Sequence, residues 1–223
     1  MTSFLLVLSA PSGGGKTSIA KQLLRCRNDL GYSVSATTRK IRRGEREGVD
    51  YHFLPRAEFL RRQEIGDFLE WATYGGELYG TLKAEIDRIF TSGRHAVLDI
   101  EVEGARQIRT SFPDSVHVFV LPPSAGVLVD RLAGRKTEDP KLLRERIARA
   151  ADELAAVSEY DYAIVNENLD DAVGDVAAIL DGTGEPYRVS VQNTLPAFVE
   201  QLRRDVVKAA GRIGKEVAEK KSR

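Results

Sequence analysis

Apolar and polar positions along this chain fall into blocks that predict strands and helices in turn. Phe4-Leu5-Leu6-Val7-Leu8 is a short unbroken apolar run, the pattern of a strand buried on both faces. Ile19, Leu23 and Leu24 then recur on one side of a helix. Tyr32 to Ser35 predicts a short strand, Thr37 to Glu45 a polar loop, Asp50 to Leu54 a strand, and the residues from about Arg56 to Gln63 a short helix. Phe68 to Tyr74 is strand-like and closes on the turn Gly75-Gly76. Thr81 is placed to cap a helix that runs through Phe90 and stops at Gly93. His95 to Ile100 is a strong apolar strand closing on acids, Gly104 opens the next helix, and Val116 to Leu121 is a near-continuous buried strand. Pro122-Pro123-Ser124 turns the chain into a helix carrying Val127, Leu128 and Leu132. The stretch from Gly134 to Pro140 is charged and unpatterned; Lys141 to Val157 predicts a helix and Tyr162 to Val165 the last clear buried strand. Leu169, Ala172, Val173, Val176, Ala177 and Leu180 trace an amphipathic helix at close to ideal spacing.

This alternation predicts the α/β class: three layers, with a central, mainly parallel sheet covered by helices on both faces. Residues 35–81 break it with shorter strands and more turns, which predicts a small α+β lobe inserted into a core made of 1–34 and 82–181. Within that core, residues of about 134–150 are expected to form a mobile lid. Residues 182–223 form a mostly helical extension. It comprises a turn at Gly182 to Pro186, a short strand at Tyr187 to Val191, and a long helix with Phe198, Leu202, Val206, Ala210, Ile213 and Val217 on one face. The first half of that helix is expected on the core and the tail from Lys215 to frayed.

Composition narrows the setting. Lys plus Arg and Asp plus Glu are each 33 of 223 residues, so the net charge is zero and bulk electrostatic binding to nucleic acid or membrane is not expected. The N-terminal apolar run is far too short to span a bilayer and lacks a basic leader, which points to the cytoplasm. The single cysteine, Cys26, excludes an intrachain disulfide and is expected as a small buried filler. His52, His95 and His117 lack ligand spacing and are assigned to core or edge positions.

The first candidate chemistry sits directly after the first strand. Ser9-Ala10-Pro11-Ser12-Gly13-Gly14-Gly15-Lys16-Thr17 between strand and helix has the form of a P-loop, although Ala10 stands where the strict motif has glycine. Glycines let several N–H groups converge on one anion, and the helix N-terminus adds its positive dipole end. Ser12, Gly13, Gly14, Gly15, Lys16, Thr17 and Ser18 are therefore candidates to hold nucleotide phosphates, with Thr17 on Mg²⁺. A P-loop alone leaves ATPase, GTPase and kinase open. The inserted segment supplies the second set: Arg39, Arg42 and Tyr51 suit a second phosphate. Glu70, among Phe68, Leu69 and Trp71, is a carboxylate in apolar company; a base with two adjacent donors, such as guanine, would satisfy it. The Ser35 and Thr81 hydroxyls could complete recognition of the same base.

Several segments in order now carry a resemblance. Ser33-Val34-Ser35-Ala36-Thr37-Thr38-Arg39-Lys40-Ile41-Arg42-Arg43-Gly44-Glu45 with Gly48-Val49-Asp50-Tyr51, then Phe68-Leu69-Glu70-Trp71-Ala72 and Leu78-Tyr79-Gly80-Thr81, resemble the nucleoside-monophosphate-binding region of guanylate kinases. Leu98-Asp99-Ile100-Glu101, Leu121-Pro122-Pro123-Ser124 and Ile164-Val165-Asn166 extend the likeness to about residue 180. The resemblance implies Mg²⁺-assisted, direct in-line transfer of the γ-phosphoryl of ATP to GMP, giving ADP and GDP, in purine nucleotide metabolism and GMP recycling. By the same resemblance, Ser35, Glu70 and Thr81 contact guanine. Arg39, Arg42, Tyr51 and Tyr79 hold the GMP phosphate, and Asp99 and Glu101 face the site, Asp99 reaching Mg²⁺ through water. Arg131, Arg135 and Arg146 match lid-side arginines, Asn166 an adenine-side position, and Lys16, Arg39, Arg135 and Arg146 the charges that serve catalysis.

Glu101 stands where many members have aspartate, Leu78 where an aromatic residue is common, and Lys136 where glycine is usual; none of these removes a group the chemistry needs. Acceptance of deoxy-GMP, and whether the chain is a monomer or a homo-oligomer, stay open at this level. Two rivals are a kinase for a sugar phosphate, which the trio Ser35, Glu70 and Thr81 argues against, and a silent interaction domain, which would not need Lys16 and Thr17.

Overall fold

A computed structural model describes residues 3–134 and 140–221, the side chains of 140, 141 and 213–221 excepted. In chain order the elements are β1 (Leu5–Ser9), α1 (Lys16–Cys26), β2 (Leu30–Tyr32), β3 (Ala36–Thr37), β4 (His52–Phe53), α2 (Arg56–Glu64), β5 (Phe68–Tyr74), β6 (Glu77–Leu82) and α3 (Lys83–Thr91). There follow β7 (His95–Asp99), α4 (Val102–Ser111), β8 (Val116–Leu121), α5 (Ala125–Ala133), α6 (Pro140–Leu154), β9 (Tyr162–Val165), α7 (Leu169–Leu180) and α8 (Leu195–Lys221). The central parallel sheet has five strands, as the alternating pattern predicts. The chain divides into two compact units, one of residues 1–8 and 24–117, the other of residues 9–23 and 118–223.

In the first unit, β7 lies between β1 and β2 and pairs parallel with both, Leu5 opposite Ala96 and Leu30 opposite His95. The strands are apolar on both faces because helices must cover both faces of a parallel sheet. A second sheet, of order β4-β3-β6-β5, carries a small core of its own in which Phe59 of α2 stacks on Phe68 beside Ala36, Leu78 and Leu82. β5 is the open edge of that sheet. Gln107 of α4 satisfies it, its side-chain amide donating to the Trp71 carbonyl at 2.8 Å and accepting from the Trp71 N–H at 3.2 Å.

In the second unit, β8 and β9 pair parallel, Phe119 opposite Ala163. Ser124 caps α5 by accepting from the Val127 N–H, and Asn168 caps α7 by accepting from Asp170 and Asp171, two acids that also suit the helix dipole. The extension beyond residue 182 belongs to this unit: α8 buries Leu195, Val199, Leu202, Val206 and Ala210 and packs along α6 and α5. The first half of the predicted amphipathic face thus meets the body of the protein. The side chains of Ile213 and Val217 lie outside the described residues.

Four local expectations change. Thr81 does not cap a helix: it lies in β6, Leu82 holds the cap position of α3 without a side-chain bond, and the Thr81 hydroxyl is used elsewhere. Tyr187 to Val191 is not a strand but two short 3₁₀ turns, Glu185–Tyr187 and Val189–Val191. Pro186 withholds a ladder donor there, and Tyr187 is drawn aside by its 2.6 Å bond to Asp175. Cys26 is exposed, because it ends α1, whose buried face is Ile19, Ala20 and Leu23. Gly104 lies within α4 rather than at its start. The histidines occupy core and edge positions as expected: His117 is buried against the Ser115 hydroxyl, and His95 accepts from the Phe4 N–H.

Candidate active site

The loop of the second unit folds as its glycines require. Gly13 and Gly15 take φ of 85° and 96°, in the left-handed region that other residues avoid. Gly14 donates its N–H to the Pro11 carbonyl at 2.7 Å, and a side chain there would bring its β-carbon 2.7 Å from that of Ala10. Ala10 is fully buried, so the methyl that departs from the strict motif is accommodated by glycine at 14. α1 then begins at Lys16, with the N–H groups of Ser18 and Ile19 returning to the Gly15 carbonyl. Ser12, Gly13, Gly15 and Lys16 are half-buried, while Thr17 and Ser18 stand exposed in the first turn.

Three side chains distant in sequence hold this loop. The Gly14 carbonyl accepts from Asn166 Nδ2 at 3.0 Å and from Arg131 Nη1 at 3.4 Å, while Arg131 Nη2 reaches the Asn166 carbonyl at 3.3 Å. Asn166 is thus buried beneath the loop, with its amide nitrogen engaged there. The third is Glu153 of α6, whose Oε2 accepts from the Ser12 N–H at 2.8 Å. Sequence reasoning passed over Glu153; its half-buried place on a helix shows no motif, only an acid seven positions after Arg146. Arg146 is half-buried midway along α6; Arg135 and Lys136 lie outside the described residues.

In the first unit, Glu70 and Thr81 face each other across β5 and β6, and the Thr81 hydroxyl donates to Glu70 Oε1 at 2.7 Å. Both are buried, Glu70 at 4% exposure. That burial pushes the Glu70 carboxyl up to about 7, against the Thr81 hydrogen bonds that lower it and with the neighbouring Glu101 charge that raises it. Glu101 is the cap residue of α4, and Asp99 ends β7. Both therefore stand at the carboxyl end of a parallel strand, where α/β sheets place their ligands. Gly104, one turn into α4, is where Glu70 finds room: a β-carbon there would collide with Oε2 and lie 2.9 Å from Cδ. Gly104→Ala favours the helix by about 1 kcal/mol yet displaces the carboxylate. It is expected to leave thermal stability near wild type while raising the KM for the second substrate about tenfold, a split that steady-state kinetics and a melting curve check together.

Arg39 is fixed by a bidentate pair with Glu45, Nη1 to Oε2 at 3.0 Å and Nη2 to Oε1 at 2.9 Å, its guanidinium 5.2 Å from the Tyr51 ring centre. Burial weighs against both charges, yet the pairing keeps Arg39 raised and Glu45 lowered from their ordinary values. Tyr79 meets Tyr51 edge-on at 6.0 Å. The Thr37 and Thr38 hydroxyls tie this loop to β6 through the Leu78 carbonyl and N–H. Arg42 points its exposed side chain outward while its N–H donates to Glu45. Ser35 is buried and precedes β3, its carbonyl accepting from the His52 N–H. The described residues nominated from sequence thus fall into two sets, each lying within one unit.

The family model for guanylate kinase matches residues 2–183. The chain belongs to the guanylate kinase family. It is 45% identical over 177 residues to the guanylate kinase of Chlorobium chlorochromatii, covering 79% of this chain and 93% of that one. With the guanylate kinase of Thermotoga maritima it shares 43% over 180 residues, covering 81% and 87%. Among solved structures, the guanylate kinase of Anaplasma phagocytophilum superimposes with a TM-score of 0.67 at 31% identity, over 88% of this chain and 95% of that one. Guanylate kinase membership makes this protein an enzyme, a phosphotransferase that binds nucleotides, and the family's reaction is ATP-dependent phosphorylation of GMP. The helix α8 lies beyond the matched residues. Among the described residues, no helix is long and apolar enough to cross a membrane.

Proposed function

We propose that this guanylate kinase moves the γ-phosphoryl of ATP directly and in line to the phosphate of GMP, using Mg²⁺, as a step of purine nucleotide metabolism and GMP recycling in the cytoplasm. The observation that carries the acceptor's identity is the buried Glu70–Thr81 pair. The Thr81 hydroxyl meets one oxygen of this carboxylate, and a ligand that donates to it would stabilise its charged form further. Guanine offers a ring N–H and an exocyclic amine side by side; adenine presents a ring acceptor next to its amine and a sugar presents no such edge. Ser35 and Thr81 serve the same base. Arg39, Arg42, Tyr51 and Tyr79 take the GMP phosphate, Arg39 being held ready by Glu45. Deoxy-GMP, which presents the same base and phosphate, is proposed as a further acceptor.

In the second unit, the loop amides from Gly13 to Ser18 and the Lys16 ammonium receive the ATP phosphates, with Arg131, Arg135 and Arg146 supplying further positive charge. Thr17 presents an exposed hydroxyl in the first turn of α1, a hard oxygen that fits a Mg²⁺ arriving with the nucleotide. Asp99 is proposed as a second holder through water. Mg²⁺ there would neutralise charge on the phosphate oxygens as the bond to the leaving ADP lengthens. No residue is needed as a general base, because the attacking GMP phosphate oxygen is already an anion. What the protein contributes is alignment, exclusion of water and fixed positive charge.

A coupled assay for ADP with GMP, AMP and a sugar phosphate as acceptors tests the reading; comparable turnover with AMP would refute it. A second check is pH. Glu70 must be ionised to accept from guanine, and its carboxyl sits at about 7 before the base arrives. KM for GMP is therefore expected to rise roughly fivefold from pH 7 to pH 6, as the ionised fraction falls from about one half to about one tenth. A flat profile over that range would exclude the ionised form as the one that binds.

A further inference from the structure

We propose that Glu153 is a positioning residue of the ATP site, tying α6 to the phosphate-binding loop. The inference rests on the reading that this loop holds ATP. Ser12-Gly13-Gly14-Gly15 is among the softest sequences a chain can carry, since each glycine has more conformations to lose on ordering than any other residue. Such a loop binds phosphate tightly only if it is already fixed. Asn166 and Arg131 fix the carbonyl side through Gly14. Glu153 fixes the other end, through the N–H of Ser12 at 2.8 Å, across 141 positions of sequence.

A carboxylate is an unexpected neighbour for a loop that receives triphosphate, because its charge opposes the ligand's. Its place is explained by what it holds. Glu153 and Arg146 are seven positions apart on α6, two helical turns, and so share a face. The bond to Ser12 sets both the rotation and the axial position of α6 relative to the loop, and thereby the direction from which Arg146 approaches. The adjacent face of α6 buries Ile147, Ala151 and Leu154. From α8, Arg203 Nε donates to the Ala151 carbonyl at 3.1 Å, satisfying one of the acceptors that a helix C-terminus leaves open. α6 is therefore seated on one side and steered on the other, and Glu153 is the steering contact.

The test is steady-state kinetics of Glu153→Ala, Glu153→Asp and Glu153→Gln with each substrate varied. Losing a hydrogen bond to a charged acceptor is expected to raise KM for ATP and lower kcat, each about tenfold, in the Ala variant. KM for GMP should stay within about twofold. Glu153→Asp keeps the charge but shortens the arm and should share the loss; Glu153→Gln keeps an acceptor at full reach and should recover both constants to within about threefold of wild type. If the Ala variant does not fold, the contrast between Asp and Gln decides. Wild-type ATP constants in Glu153→Asp, a parallel rise in both KM values, or a Gln variant as impaired as Asp would each overturn the proposal. Should Lys16→Met be inactive while Glu153→Asp is unaltered, this inference alone falls; activity in Lys16→Met would remove the ATP-loop reading itself.

Discussion

Lys16→Met is expected to lower kcat by about 10³-fold or more, with a melting temperature within a few degrees of wild type. Lys16 is the first residue of α1 and follows a loop whose glycines at 13 and 15 adopt left-handed backbone angles. Charge builds up on the phosphate oxygens in the transition state, and in a site closed to water a fixed cation is worth several kcal/mol against it. Methionine keeps the apolar stem and removes only the charge, so the helix and the loop should survive. Single-turnover measurement at saturating ATP separates this loss from weaker binding. Near-normal turnover would mean that phosphoryl transfer does not take place at this loop.

Glu70→Gln is expected to cut kcat/KM for GMP about 10³- to 10⁴-fold, because a site built around hydrogen bonds to a base rejects a partner that leaves buried polar groups unmatched. Glutamine keeps the shape, and one of its atoms can still accept from Thr81. The other becomes an amide that meets guanine's donors with donors of its own. The same substitution is expected to stabilise the free protein at pH 8. The Glu70 carboxyl is raised from 4.5 to about 7 in the folded state. The folded chain therefore binds more protons than the unfolded chain between those values, and stability is lost as pH rises through that window. Above it, the buried charge costs about 3 kcal/mol as an upper bound, which Glu70→Gln relieves. A higher melting temperature at pH 8 together with lost GMP turnover would mark Glu70 as a group kept for binding at a cost in stability. Unchanged GMP kinetics would end its role in base recognition.

The part of this protein legible in its sequence is the part set by short-range physics. The sheet strands β1, β7, β8 and β9 announce themselves as predominantly apolar runs, since burial on both faces of a parallel sheet demands them. The phosphate loop is equally plain, because its conformation is dictated by glycines adjacent in the chain. The candidate residues of the inserted lobe could also be nominated, since they come from a few short segments between Ser35 and Thr81. Local reading failed where a residue had two uses and the fold chose the one sequence does not display. Thr81 looks like a helix cap, but its hydroxyl is claimed by Glu70 across the sheet. Tyr187 to Val191 alternates like a strand, but Pro186 and the Tyr187–Asp175 bond turn it into 3₁₀ pieces.

Tertiary structure alone decided the contacts that join distant segments with no period to betray them. Gly104 looks like any helical glycine until Glu70 is found occupying the space its side chain would fill. Nothing in the sequence around Asn166 shows that its amide closes on Gly14 from 152 positions away. Glu153 is one of three acids on a charged helix, and only folding brings it to the Ser12 N–H. Hydrophobic periodicity and backbone preference act over a few residues and so are written in the chain. A hydrogen bond between side chain and loop depends on where two remote backbones come to rest, and that is fixed only when the whole unit packs.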